Sequence, residues 1–208
     1  MSFQPFYRRI FDSFGYPLTR RAAMAGPSLR ASEKSLGIAA PPALRDFYAV
    51  AGRERRFSHS HNRVLSPRDW FVDKGRLVFM EENQAVVLWG VSLRMPHDDD
   101  PPVDQAVNHD GELRWSRVSR HCSRFLAVEL HYQAVCGGFR HCAAASPPDG
   151  LKRRLKGSWS CLGTVNRLTA YSRPNQVLCV EPDFGVLLAG KTRTDLRAIE
   201  RDLGLDLT

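Results

Sequence analysis

The stretch Gly75-Arg76-Leu77-Val78-Phe79-Met80-Glu81-Glu82-Asn83-Gln84-Ala85-Val86-Val87-Leu88-Trp89-Gly90 decides the fold. Leu77–Met80 and Ala85–Val91 are apolar runs too short for helices, and β-branched and aromatic side chains dominate them. The polar residues Glu81-Glu82-Asn83-Gln84 between them fit a four-residue hairpin connection, with Asn83 tolerating a left-handed backbone. Both runs are nearly continuous rather than alternating, which predicts central strands covered on both faces and places Trp89 in the core.

Upstream the period is helical. Phe3, Phe6, Tyr7, Ile10, Phe11 and Phe14 form one stripe before Gly15-Tyr16-Pro17 breaks it. Residues 18–37 read as a second helical stretch, interrupted at Gly26-Pro27 and stopped at Gly37. Pro41-Pro42 opens a third helix, with Leu44, Phe47, Tyr48 and Ala51 on one face and Gly52 at its end. Arg53 to Pro67 is polar and basic and reads as a loop.

Downstream, Asp98-Asp99-Asp100-Pro101-Pro102 must be a loop, and 103–108 and 112–118 read as two more strands. Ser119 to Cys136 is the longest helical stretch. Its buried face collects Phe125, Leu126, Val128, Tyr132 and Val135, with Glu129 among them, and Gly137-Gly138 ends it. Residues 139–165 change composition and read as an insertion or flap. Strand candidates follow at 168–171, 177–181 and 186–189, then a closing helix from Thr194 to Leu203. The expectation is one α+β domain over 1–208: a mostly antiparallel central sheet of about six strands flanked by helices, with an N-terminal helical extension over 1–28.

Charge is segregated along the chain. Residues 1–70 balance to +7, 71–112 to −6, 113–174 to +9 and 175–208 to −2, which the net charge of +8 conceals. No apolar run approaches the roughly 20 residues that span a bilayer, so no membrane role is expected. Met1 to Phe6 lacks a basic stretch followed by an apolar core, and the five cysteines are odd in number and widely spaced. Reduced thiols in a cytoplasm are therefore expected.

Chemistry-bearing motifs are sparse. There is no Gly-x-Ser-x-Gly and no Gly-x-Gly, so neither a nucleophile elbow nor a phosphate cradle is indicated, and no cofactor is expected. His121-Cys122, His131, Cys136 and His141-Cys142 fall close together, but adjacent residues cannot share one ion from a helix and Cys-x-x-Cys is missing. The aspartates at 98–100 lack the alternation, glycine and distant glutamate of a calcium loop. No metal is expected at either. Arg114, Arg117, Arg120, Arg124 and Lys152–Lys156, with Trp115 or Trp159 for stacking, leave nucleic-acid binding as an alternative.

Leu36-Gly37-Ile38, Pro42-x-Leu44-x-x-Phe47-Tyr48 and Gly52 resemble the opening helix signature of the SUKH superfamily. Leu77-Val78-Phe79-x-Glu81-Glu82-Asn83-Gln84, then Val87-x-Trp89-Gly90, is similar to that family's central hairpin, and Asp100-Pro101-Pro102-Val103 to the turn after it. The resemblance implies a non-enzymatic α+β protein-binding module. In bacteria it implies an immunity protein that neutralises a toxin by docking onto it; the alternative within the family is a regulatory scaffold for an endogenous protein. A basic nuclease cleft would be complemented by the acidic segment. Glu81, Glu82, Asn83, Asp98, Asp99, Asp100 and Asp104 are the expected partner-binding residues.

Overall fold

The computed structural model describes residues 2–109, 112–182 and 185–206. It is α+β, with two antiparallel sheets packed on either side of one buried helix. That helix, α4 (Cys122–Gln133), buries Cys122, Phe125 through His131, and Gln133. Burial of this kind takes three polar side chains of α4 out of water: Glu129, His131 and Gln133.

The first sheet contains β1 (Arg63–Val64), β2 (Phe71–Asp73), β3 (Arg76–Glu81), β4 (Val87–Ser92), β5 (Val103–His109) and β6 (Glu112–Ser119). Its order is β1-β3-β4-β5-β6, and β2 shares the β3 edge with β1. The expected hairpin is thus observed as β3–β4, at the centre of a six-stranded sheet. Phe79 and Trp89 meet the Phe125 ring of α4 at centroid distances of 5.8 and 6.1 Å. Two details differ from the sequence reading. The left-handed residue of the connection is Ala85 (φ +57°) rather than Asn83. A β-turn closes over Glu82–Ala85, and β4 starts only at Val87. β3 is buried along its middle four residues, whereas Val87 and Leu88 of β4 stay half-exposed because β4 extends past α4's cover.

The second sheet holds β7 (His141–Ala145), β8 (Ser160–Val165), β9 (Leu168–Arg173), β10 (Gln176–Glu181) and β11 (Gly185–Gly190), ordered β7-β11-β10-β9-β8. Two-sided burial, seen at Leu77–Met80 of β3, recurs here. Val177 and Cys179 of β10 and Ala189 of β11 belong to the core around α4. Leu178, Val186 and Leu188 face a second apolar cluster with Leu151, Leu155, Ile199 and Leu203. The last four come from α5 (Leu151–Leu155) and α6 (Arg193–Leu203). Each fully buried aliphatic side chain contributes about 1.5–3 kcal/mol, so this outer layer holds the sheet from its far side. Residues 139–165, read as an insertion, therefore supply β7 and β8, the two edge strands, with α5 between them.

The remaining helices are α1 (Gln4–Ser13), α2 (Gly26–Leu36) and α3 (Pro42–Ala51). Tyr7, Phe11, Phe14 and Phe47 enter the same core as α4, so the N-terminal extension is part of the packing. α6 carries a capping box, with Thr192 Oγ1 accepting from Asp195 N–H at 3.1 Å and Asp195 Oδ2 accepting from Thr192 N–H at 2.9 Å. No helix among the described residues is long and apolar enough to cross a membrane.

Candidate functional site

The acidic residues singled out in the sequence do not form one patch. Glu81 and Glu82 sit where β3 turns into β4, and Asp98–Asp100 lie beyond Ser92, at the opposite end of the same strands. Six residues of extended chain separate the groups by about 20 Å. Glu81 is ion-paired with Arg63, and Asn83 is exposed at the turn. Asp98 Oδ1 accepts from the Asp100 N–H at 2.9 Å, while Asp99 receives the Ala43 N–H on its backbone carbonyl. Asp100 is engaged at the start of α4, accepting from Ser123 N–H at 2.7 Å and from its hydroxyl. A carboxylate there satisfies an orphan amide and favours the helix dipole.

Asp104 is the clearest correction. It is 3% exposed and accepts from Arg76 Nε at 2.7 Å and Arg117 Nε at 2.9 Å. Burial alone would raise its carboxyl, but the two guanidiniums outweigh that and hold it below the usual range. Such a group supports the sheet and is not presented to a partner. The aromatic residues considered for base stacking are likewise engaged. Trp159 is buried beneath the Arg173 guanidinium, and Trp115 stacks with Arg76 while donating to Asp73 Oδ2 at 2.6 Å. Among the described residues no three His, Cys, Asp or Glu side chains gather as a metal site.

A different constellation lies between the two sheets, beside α4. A cleft of about 260 Å³ is lined by His61 and Asn62, Glu82 of the hairpin, and Val87 and Trp89 of β4. Gln105 of β5, Glu129 and Tyr132 of α4, the β8–β9 turn and Glu181 of β10 complete it. The turn has both Asn166 (φ +44°) and Arg167 (φ +73°) left-handed, the geometry of a two-residue type I′ hairpin.

Gln133 fixes the loop that carries His61 and Asn62. Its Oε1 accepts from Ser60 Oγ at 2.9 Å and His61 N–H at 2.7 Å, and its Nε2 donates to the Asn62 carbonyl at 2.6 Å. His61 then meets Tyr132 edge to face at 5.4 Å. Asn62 is 4% exposed; its Nδ2 donates to Glu129 Oε2 at 3.4 Å, and its buried Oδ1 has no partner. Burial pushes the Glu129 carboxyl up to about 7 against the smaller opposing effect of that amide. Trp89 Nε1 donates to Gln105 Oε1 at 3.2 Å, orienting both side chains. Glu129 and Asn62 thus both border the cleft, with Asn62 Oδ1 buried beneath its surface.

Of the residues singled out in the sequence for binding, Glu82 lines this site. A further signal was Glu129, an acid on the apolar face of the longest helix. His61 with Asn62, and Glu181, come from two other segments and join Glu129 and Tyr132 of α4 only through the fold. No protein-family model, curated protein or solved structure matches the chain.

Proposed function

We propose that this chain is a non-enzymatic binding protein of the cytoplasm that neutralises a toxin by docking onto it, in the manner of the SUKH immunity proteins its sequence resembles. The observation that carries the reading is the rim of the cleft at the β3–β4 turn. Val86 is 44% exposed, and Val107, ladder partner of the adjoining Val87, is 40% exposed. Glu82 stands beside them at the cleft mouth. Exposed aliphatic residues beside a carboxylate suit a docking surface, with the exposed Arg114, ladder partner of Val107, next to them. Of the acidic residues named in the sequence, Glu82 lies on this rim, with the exposed Asn83 next to it in the turn, so docking is assigned to the hairpin end of the first sheet.

The mechanism is steric and electrostatic. The hairpin end covers the partner's cleft, and carboxylates replace the anionic groups that a basic cleft would otherwise receive. The test asks whether the adjacent coding region specifies a secreted toxin, pairs the protein with that toxin and measures association and residual toxin activity. Wild type is expected to bind and inhibit, and Glu82→Lys with Val86→Asp to lose at least tenfold in affinity. Unchanged affinity of that double variant would remove the hairpin end from the account.

A further inference from the structure

We infer that the cavity beside the basic loop after α3 is a receptor for a phosphate monoester, a tetrahedral dianion carried on a small organic group. This site is separate from the docking surface and does not depend on it.

The loop is the polar, basic stretch from Arg53 to Pro67. A cavity of about 390 Å³ opens beside it, lined by Arg53, Arg55, His59 and Ser66 together with Met24 and Val64. No aspartate or glutamate is among the described lining residues. Among the described residues no carboxylate pairs with Arg53 or Arg55 either. The acid between them, Glu54, is engaged within the loop. Its Oε1 accepts from the Arg56 N–H at 2.8 Å and its Oε2 from the Phe57 N–H at 2.9 Å. Arg63, further along, is neutralised by Glu81.

The fold gathers these cations and holds the loop in place. Arg53 N–H donates to the Ala22 carbonyl at 2.8 Å, and Val64 N–H donates to the Ser58 carbonyl at 3.0 Å. Between those anchors the Phe57 ring is fully buried, 4.8 Å from the Phe14 ring and 5.4 Å from Phe139. His59 N–H donates to the Arg55 carbonyl at 3.0 Å, a single turn of backbone that places both residues on the cavity wall. Burial lowers the His59 pKa from 6.5, and the Arg55 and Arg63 charges push it the same way. Like charges gathered without a counterion cost free energy, and an anion lodged among them removes that cost.

The donors select the class of anion. The Ser58 hydroxyl donates to the Glu54 carbonyl, so its oxygen accepts from His59 Nδ1–H at 2.9 Å, and the imidazole takes up its second proton at Nε2. Two guanidiniums, that ring and the Ser66 hydroxyl then surround one space. Three terminal oxygens carrying two charges answer this set better than the two oxygens and single charge of a carboxylate. Met24 and Val64 give the organic group an apolar wall, and the volume is that of a small-molecule site. A cation would be repelled, and an apolar ligand would take water from the guanidiniums without replacing it.

The experiment titrates the full chain with phenyl phosphate at about pH 7.5, where the monoester is a dianion, and at constant ionic strength. Benzoate and benzyl alcohol serve as the carboxylate and neutral controls. Nuclear magnetic resonance follows the guanidinium carbons of Arg53 and Arg55 and the His59 ring. Saturable shifts with phenyl phosphate are expected, at an affinity at least tenfold above either control. Arg53→Gln with Arg55→Gln changes two exposed side chains and is expected to lower that affinity at least tenfold. Absent shifts, an equal response to benzoate, or full binding by the double variant overturns the site. Octathymidylate without a terminal phosphate is the arm for a nucleic-acid backbone. If it moves these signals and phenyl phosphate does not, the loop is a polyanion surface and the proposed receptor falls.

Discussion

Arg76 on β3 reaches Asp104 on β5 across the whole width of β4, Nε to Oδ2 at 2.7 Å. The strand between them places Gly90 opposite both Val78 and Asp104, so no side chain blocks the span. A Cβ at Gly90 would stand 3.0 Å from the Arg76 Cβ and 3.1 Å from the Trp115 ring. Arg76 is thereby packed between the aromatic ring and the carboxylate, with 15% of its side chain exposed.

Asp104→Ala strands this guanidinium. Loss of about 2–3 kcal/mol is expected, below the usual cost for a fully buried pair because Arg117, the other partner, is half in solvent. Arg117→Ala should cost less than about 1 kcal/mol. Urea denaturation of the two variants separates these outcomes, and equal small losses would show that the bridge does not brace the sheet.

The outer layer depends on close approach of α6 to β11. A Cβ at Gly190 would overlap the backbone nitrogen of Leu196 and lie 2.9 Å from the Asp195 carbonyl carbon. Backbone atoms cannot turn aside as a flexible side chain can. Gly190→Ala is expected to cost about 1–3 kcal/mol, read as a lowered thermal midpoint. A midpoint within error of wild type would contradict this packing.

Glu129 makes stability fall as pH rises. Its folded value near 7 lies above the ordinary 4.5, so the folded protein keeps a proton that the unfolded chain releases. The associated stability is fully present below pH 4.5 and is lost by pH 7 and above, on the order of 3 kcal/mol. Glu129→Gln keeps an acceptor for Asn62 and removes the titration. Its advantage over wild type should therefore grow between pH 5 and 8; parallel curves would show that Glu129 is not buried as described.

His131 acts in the opposite sense. Its ring is buried against Phe14 at 4.8 Å, Nδ1 contacts the Ala127 carbonyl at 2.7 Å, and Nε2 has no partner. Burial lowers its pKa from 6.5 to about 4, so the unfolded chain takes up a proton that the folded protein refuses. Stability should drop on the order of 3 kcal/mol as pH falls from 6.5 to 4. Since Glu129 opposes this between pH 4.5 and 6.5, the measurement belongs in a Glu129→Gln background. His131→Leu in that background is expected to flatten the acid limb, and an unchanged limb would assign the loss elsewhere.

The middle of the first sheet was legible because its central strands are dense apolar runs with a polar turn between them, a signal that survives without tertiary context, whereas β1 lies in the stretch 53–67 read as a loop. The helices through Phe47, Phe125 and Ile199 were legible for the corresponding reason, their periodic faces. The edge strands were not. His141–Ala145 is alanine-rich and Ser160–Val165 is mixed, and both become strands through pairing with β11 and β9. The site residues escaped for a related reason. Asp104 looks like one more member of an acidic segment until two arginines from other strands close on it. Asn62 sits in a stretch with no periodicity, and Gln133 and Glu129, 71 and 67 residues away, fix its position. Spacing along a chain records local periods, whereas charge pairing and burial across strands leave no such record.

If the adjacent coding region specifies a toxin, its inhibition, titrated with wild-type protein and with the Glu82→Lys, Val86→Asp variant, tests the proposed role most directly. The account predicts a stoichiometric complex that abolishes toxin activity, and a variant that folds normally yet protects at least tenfold less well. A toxin that stays fully active in excess wild-type protein, with no complex on gel filtration, would contradict it.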